Sequence, residues 1–361
     1  LAQTISSSSS ARLFEPLTIR GVTLRNRIGV SPMCQYSATD GFANGWHLTH
    51  LASRAVGGAG LVISEATAVM PEGRISPADL GIWSDAHAEA LKPVAEAIAA
   101  AGAVPGIQLG HAGRKGSTQV PWEGRAAVRE GGWAVPAPSA LPFGRDSALT
   151  YAMSDAQIEA VIAAFADAAV RAKAAGFRFL ECHFAHGYLV HEFLSPISNK
   201  RDDRWGGDFE GRTRLAIAIV RAIRAVVPDL PMSVRLSCVD WMEGGWSLEE
   251  SIRLASLLKE AGADLIDCSS GAIAPRANPP AGPEVQREFA RAIRESGVPT
   301  MAVGGITDPH EAEALVAEGA CDMVLLAREM LRDPYWPLRA AKALGLTAEW
   351  PVQYRRAIGN G

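Results

Sequence analysis

The stretch ECHFAHGYLVHEF at positions 181–193 places His183, His186, Tyr188 and His191 within nine positions of one another. Side chains of these types could ligate a metal ion, or could present N–H and O–H donors to a bound oxygen. A zinc centre needs at least three protein ligands in suitable geometry. The H-E-x-x-H pattern is absent and no carboxylate is spaced to complete a set, so no metal is expected. Two imidazole donors converging on one point would instead polarise a carbonyl or phenolate oxygen, as an oxyanion hole does. Tyr188, with a reference pKa of about 10, stays protonated at neutral pH and can act as a general acid. His191 belongs to the following helix and reads as structural. Cys182 turns into the core by strand alternation from His183.

Other residues carry chemical potential. AVGGIT followed by DPHEAEA sets Gly304 and Gly305 before a helix N-terminus, and LLAR ends with Arg328. Backbone amides of a Gly turn, a helix dipole and a guanidinium suit a phosphate, although a Gly pair is equally ordinary turn chemistry. Arg235, inside the apolar run MSVRLS, must face a carboxylate or an anionic group, because an unpartnered buried guanidinium is costly. A structural ion pair and a fixed charge beside an electron-accepting ring are both open to it. Cys34 and Tyr36 follow the first apolar run, and a single cysteine is most often a small buried hydrophobe.

Such groups need a rigid frame. Eight short, almost continuously apolar runs occur at 26–33, 60–67, 104–111, 177–184, 232–237, 264–270, 300–306 and 322–328, the pattern of parallel strands covered on both faces. Helical patterns with recognisable ends lie between them. Ser154 with Gln157 forms a capping box closed by Gly176, Ser247 with Glu250 another closed by Gly262, and Asp308–Pro309 opens a helix that stops at Gly319. Strand then helix, eight times over, predicts an α/β fold, a single (β/α)8 TIM barrel over residues 13–345, with a doubly wound open sheet as the competitor. Active-site groups of a barrel sit at the C-terminal ends of its strands. That selects SPMCQY, Gln108 and His111, His183 and His186, Arg235, VGGI and LAR. The Gly-, Pro- and Trp-rich stretch 111–151 is too long for a βα loop and predicts an insertion after the third strand, with its own hairpin over the mouth. Residues 346–361 form a C-terminal extension free to reach another subunit.

The 361 residues are 48% hydrophobic and 20% charged, with a formal net charge of −4. Scattered basic residues offer no handle to nucleic acid or to an anionic membrane, so a small-molecule substrate is expected. Five separated cysteines without a C-x-x-C pair argue against a structural zinc site, an iron–sulfur cluster or a disulfide framework, and suit a reducing, cytoplasmic setting. No apolar run approaches the ~20 residues that span a bilayer. Residues 1–12, opening LAQTISSSSS, are expected to be a disordered, processed or tag-derived terminus, or a transit-peptide remnant that would point to an organelle.

The segments LFEPLTIRGVTLRNRIGVSPMCQYSA, GLVISEATAVMPEGRISPADLGIW, IQLGHAGRKGS, HFAHGYLVHEFLSPISNKRDDRWGG and DPYWPLRAAKALG resemble the Old Yellow Enzyme family of flavin-dependent ene-reductases. SPMCQY and the C-terminal PVQY resemble its thermophilic-like bacterial branch. The resemblance runs from about Leu13 to Arg356. It implies an FMN barrel that takes hydride from NADPH or NADH onto the flavin and passes it to the β-carbon of an activated alkene. By position it implies flavin contacts at Ser31, Pro32, Met33, Cys34, Ala66 and Gln108, and a charge at the pyrimidine edge from Arg235. It further implies a phosphate cradle of Gly304, Gly305, Ala327 and Arg328. His183 and His186 match the pair that binds the substrate's carbonyl or nitro oxygen, Tyr188 the proton donor to the α-carbon, and Tyr36 a substrate-contacting tyrosine.

Three positions depart from the family pattern. Ala327 stands where many relatives have Gly, which suits backbone-only contacts provided its φ is negative. Trp205 replaces a Tyr and bears on local packing. In the thermophilic-like branch an arginine after PVQY enters the partner subunit's site; the spacing here favours Arg356 over Arg355 and implies a homodimer or higher homo-oligomer. A metal-dependent hydrolase barrel and a flavin-binding redox sensor are the competing readings.

Overall fold

The computed structural model describes residues 11–280, 284–348 and 350–357. Its strands are β1 (Leu17–Ile19), β2 (Val22–Leu24), β3 (Ile28–Val30), β4 (Leu61–Ala68), β5 (Val104–Gly110), β6 (Val135–Ala137), β7 (Thr150–Ala152), β8 (Phe179–Phe184), β9 (Met232–Ser237), β10 (Leu265–Ser269), β11 (Thr300–Val303) and β12 (Met323–Leu326). Its helices are α1 (Gly45–Val56), α2 (Asp85–Ala100), α3 (Asp155–Ala174), α4 (Leu189–Leu194), α5 (Phe209–Val226), α6 (Leu248–Ala261), α7 (Glu284–Glu295), α8 (Pro309–Ala317), α9 (Arg328–Arg332) and α10 (Trp336–Ala343). Each of the eight apolar runs forms one barrel strand. The barrel closes where β12 pairs β3 in parallel, Leu326 beside Val30, which rules out an open sheet. The capping boxes at Ser154 and Ser247 both form, and Gly176 and Gly262 follow their helices in the left-handed conformation.

Strand alternation sorts the side chains. Along β8, Leu180, Cys182 and Phe184 join the core between barrel and helices, while Phe179 joins an inner cluster with Leu61, Ile63, Leu265, Met301, Met323 and Leu325. That inner cluster is the apolar floor of the barrel. Above it the inward positions turn polar, and the site is built there.

Two local features differ from the sequence reading. The insertion's strands β6 and β7 pair in parallel and so are not the two arms of a hairpin, and the antiparallel pairing in the insertion is a short bridge of Thr118 with Ala127; the Pro- and Gly-bearing segment 138–149 carries the chain back to the same end before β6 and β7 pair. A hairpin occurs instead at the N-terminal side, where β1 pairs β2 across Arg20 and Gly21, both at positive φ, and lends Leu24 to the barrel floor. Residues 1–10 lie outside the described residues, so the expectation for positions 1–12 can be met only at Ala11 and Arg12. The amides of Arg12 and Leu13 donate to the Glu313 carboxylate on α8 at 2.9 and 2.8 Å.

Candidate active site

Register across the barrel creates two polar rows. Gln108, Glu181 and Ser233 are neighbours on β5, β8 and β9. One step nearer the mouth, His183, Arg235 and Asp267 are neighbours on β8, β9 and β10. Gln108 Nε2 and Ser233 Oγ each donate to Glu181 at 2.9 Å. Arg235 Nε stands 3.1 Å from Asp267 Oδ2, and its Nη1 donates to Ser31 Oγ at 3.1 Å. Arg235 is therefore ion-paired, as one reading of the sequence required, and also faces the chamber wall that Ser31 forms. Burial pushes the Glu181 carboxyl up to about 8 and that of Asp267 up to about 6, the latter opposed by Arg235. Glu181 and Asp267 were not singled out in the sequence. The spacing of two from His183 and from Ser269 would have put them on the inward face.

His183 is the penultimate residue of β8, and His186 follows in the left-handed conformation at φ +60°. Both main-chain groups of His186 are taken: its N–H donates to Ser237 Oγ at 2.8 Å, and its carbonyl accepts from Lys115 Nζ at 2.7 Å. That local strain is held by its partners. The two rings meet edge to face with centroids 5.2 Å apart, and Tyr188, the N-cap of α4, packs on His183 at 4.9 Å. Burial and then the Arg235 charge hold both imidazoles well below their usual ionisation, so each is neutral with one N–H to offer. His186 Nε2 lies 2.7 Å from Ser269 Oγ, while His183 Nδ1 is buried without a protein partner. Burial pushes the Tyr188 phenol well up, keeping it protonated. Lys115, pushed down to about 8 by burial, holds its ammonium 5.1 Å from the Tyr188 ring centre. Its role was not foreseen.

His191 does not join this group. Its Nδ1 accepts from Gly187 N–H, and its Nε2 lies 2.9 Å from Asp240. Among the described residues no cluster of three His, Cys, Asp or Glu could hold a metal ion.

The segment after β3 forms the opposite wall. Ser31 N–H bonds Leu326 carbonyl, and Gln35 N–H donates to Glu65 at 2.8 Å, which holds Pro32, Met33 and Cys34 between two anchored ends. Glu65 is the extra residue of a bulge in β4, and the bulge brings Ala66 into register with Gln108. Tyr36 adopts φ +50° and meets Trp122 of the insertion edge to face. At the far side, residues 303–307 and 325–329 with Arg332 line a pocket of about 300 Å³ that contains Gly304, Gly305, Ala327 and Arg328. Ala327 has φ −103°. The helix that begins in this pocket is α9. The α8 N-terminus, which the sequence suggested, is closed by Asp308, whose side chain accepts from His310 and Glu311 amides. Trp205 is buried in packing and donates to Asp155 at 3.1 Å. Arg356 is exposed in a 3-10 segment away from these residues.

A closed barrel whose mouth joins a buried cation, neutral imidazole donors and a glycine-lined phosphate-sized pocket defines a barrel oxidoreductase built to hold a flavin nucleotide. The family model of the NADH:flavin oxidoreductase / NADH oxidase family matches residues 12–347. The chain is 47% identical over 347 residues to the NADPH dehydrogenase of Geobacillus thermodenitrificans, covering 95% of this chain and 98% of that protein. It also superposes on an old yellow enzyme homologue from Zymomonas mobilis with a TM-score of 0.79 at 27% identity, covering 94% and 95% of the two chains. A 2-naphthoyl-CoA reductase gives a TM-score of 0.84 at 30% identity, with 92% of this chain matched; the chain spans only 52% of that protein. The chain belongs to the NADH:flavin oxidoreductase / NADH oxidase family, in its Old Yellow Enzyme group. It is an NAD(P)H-dependent flavin oxidoreductase whose cofactor is FMN. The residues present fit that group: Arg235 would offer positive charge to an electron-rich ring, and the pocket around Gly304 and Arg328 would offer backbone amides and a guanidinium to a phosphate.

Proposed function

We propose that the enzyme reduces activated alkenes, namely α,β-unsaturated aldehydes, ketones, maleimides and nitroalkenes, at the expense of NADPH or NADH. FMN, when bound, supplies hydride to the alkene β-carbon after taking it from the nicotinamide. Ser31, Pro32, Met33, Cys34, Ala66, Gln108 and Arg235 hold the ring, and Gly304, Gly305, Ala327 and Arg328 hold the phosphate. His183 and His186 donate to the substrate's carbonyl or nitro oxygen, which drains electron density from the β-carbon. For His186 to donate from Nδ1, its Nε2 must accept a hydrogen bond from the Ser269 O–H, and the 2.7 Å contact allows this. Tyr188 gives its proton to the α-carbon, and the Lys115 ammonium beside the ring stabilises the phenolate left behind. Tyr36 lines the substrate side.

The observation that carries this reading is the pair of neutral imidazoles packed edge to face beside a protonated phenol. Replacing both His183 and His186 by Ala should weaken binding of a phenol such as p-hydroxybenzaldehyde and slow reduction of N-methylmaleimide by ~100-fold or more, with FMN retained. Unchanged kinetics would remove the pair from the oxygen site. Bound flavin without NADPH-driven reduction of cyclohexenone or N-methylmaleimide would favour a redox sensor.

A further inference from the structure

Glu181 has no part in the chemistry above, yet it is fully buried in the middle of the barrel. It faces inward on β8, two residues before His183. Its two oxygens are held from opposite sides: Gln108 Nε2 donates to Oε1 and Ser233 Oγ donates to Oε2, each at 2.9 Å. An amide side chain has one donor end and one acceptor end, and a flip of 180° exchanges them at almost no steric cost. An acceptor-only neighbour on one side removes that freedom. With its NH2 on Glu181, Gln108 must turn its carbonyl oxygen the other way, and among the described residues no donor reaches that oxygen. Only the ionised carboxylate lacks a proton with which to hold the flipped amide's oxygen, so the upward shift that burial imposes confines the full lock to pH above about 8.

We propose that Glu181 is a positioning residue that locks the Gln108 amide with its carbonyl oxygen toward the flavin chamber, making Gln108 an acceptor for the imide N3–H of the isoalloxazine ring. The lock rests on the reading that FMN occupies this chamber. It selects a ring that carries an imide proton and resists loss of that proton, because a hydrogen bond accepted from N3–H favours the neutral imide. An apolar residue at 181 would free the amide to flip and present NH2 to the same atom.

The test uses the full chain stripped of flavin and titrated with FMN at about pH 9, where Glu181 is ionised, followed by alkaline titration of the bound flavin, whose visible spectrum reports ionisation at N3. Glu181→Met should raise the FMN Kd about tenfold and lower the bound N3 pKa by roughly one unit, while Glu181→Gln, which keeps a carbonyl acceptor for Gln108, should stay near wild type in both. Gln108→Leu should match Glu181→Met, and the double variant should be no worse than either single one, since both remove one interaction. A Glu181→Met protein with unchanged Kd and N3 ionisation overturns the lock, as does full additivity of the two losses. Where Glu181→Met does not fold, the wild-type holoenzyme with 15N-labelled FMN decides. The lock requires a downfield, slowly exchanging N3 proton, and exchange as fast as in free FMN overturns it. A wild type that takes up no FMN overturns the flavin reading and the lock together, whereas FMN uptake with an insensitive Glu181 overturns the lock alone.

Discussion

Enclosure, and behind it the Asp79 and Glu65 carboxylates, push the Cys34 thiol well above its usual ionisation. It is an S–H group and not a thiolate at neutral pH. Iodoacetamide at pH 8 should therefore modify Cys34 at least about tenfold more slowly than an unstructured cysteine peptide, followed by mass spectrometry. Faster labelling would mean that a thiolate is present. Cys34→Ala should shift the midpoint potential of the bound flavin and change rates modestly, and no shift in either returns Cys34 to simple packing. His183, His186 and Tyr188 were legible because the chain keeps them within six positions and the residue types speak for themselves. Glu181 and Asp267 were not, because a lone acid in an apolar run reveals its partners only once register is known. Gln108 and Asp267 reach Glu181 and Arg235 across strand pairs, not along the chain.

At the scale of elements, helix ends separate two helices that each follow a barrel strand at the mouth, α8 after Gly304 and Gly305 and α9 after Ala327. Asp308 closes α8 by accepting two of its first amides, whereas α9 starts inside the pocket around Gly304 and Arg328. Asp308→Ala should cost about 1 kcal/mol of stability in denaturant melts and leave the FMN Kd unchanged. Arg328→Ala should weaken FMN about tenfold or more, because a charged contact to phosphate is lost. A large loss of FMN from Asp308→Ala would return the phosphate to α8. Parallel strands, capping boxes and glycine stops were readable because each follows from local spacing. The parallel pairing of β6 with β7 was not, since direction is set by how 138–149 returns over the mouth and not by the strands' own residues.

Across the whole molecule, buried titratable groups set the pH dependence of stability. Burial holds the His50 and His111 imidazoles at about 4 and those of His183 and His186 well below their usual value. The unfolded chain takes up protons at these positions first, so they remove stability as pH falls below ~6.5. Asp79 is raised to about 7 and Glu181 and Glu192 to about 8, chiefly by burial. Their contribution is present below the usual carboxyl range and is lost as pH rises through these values. Between pH ~6.5 and 8 the histidines are neutral in both states, and Lys115 opposes the trend only near its upper edge. The Tm of the flavin-free protein should fall across that window, and Glu192→Gln should flatten the slope; a rising Tm in both proteins would contradict these shifts. The tail poses a second question at this scale. Residues 350–354 share a pocket with Arg25, Gly58 and Ala101, which precede β3, β4 and β5, at the end of the barrel opposite His183. If Arg356 serves a site, that site belongs to another copy. Mixing Arg356→Ala subunits with subunits lacking His183 and His186 should then raise activity above the sum of the two, and strict additivity would exclude a role in trans. By itself the sequence determined the barrel, its eight strands and the candidate residues near their ends, because apolar runs and helix caps are local. Only the tertiary structure decided which inward side chains share a row, which helix faces the phosphate pocket and which end of the barrel holds the tail. Those are consequences of strand register and chain return, and they link residues far apart in sequence.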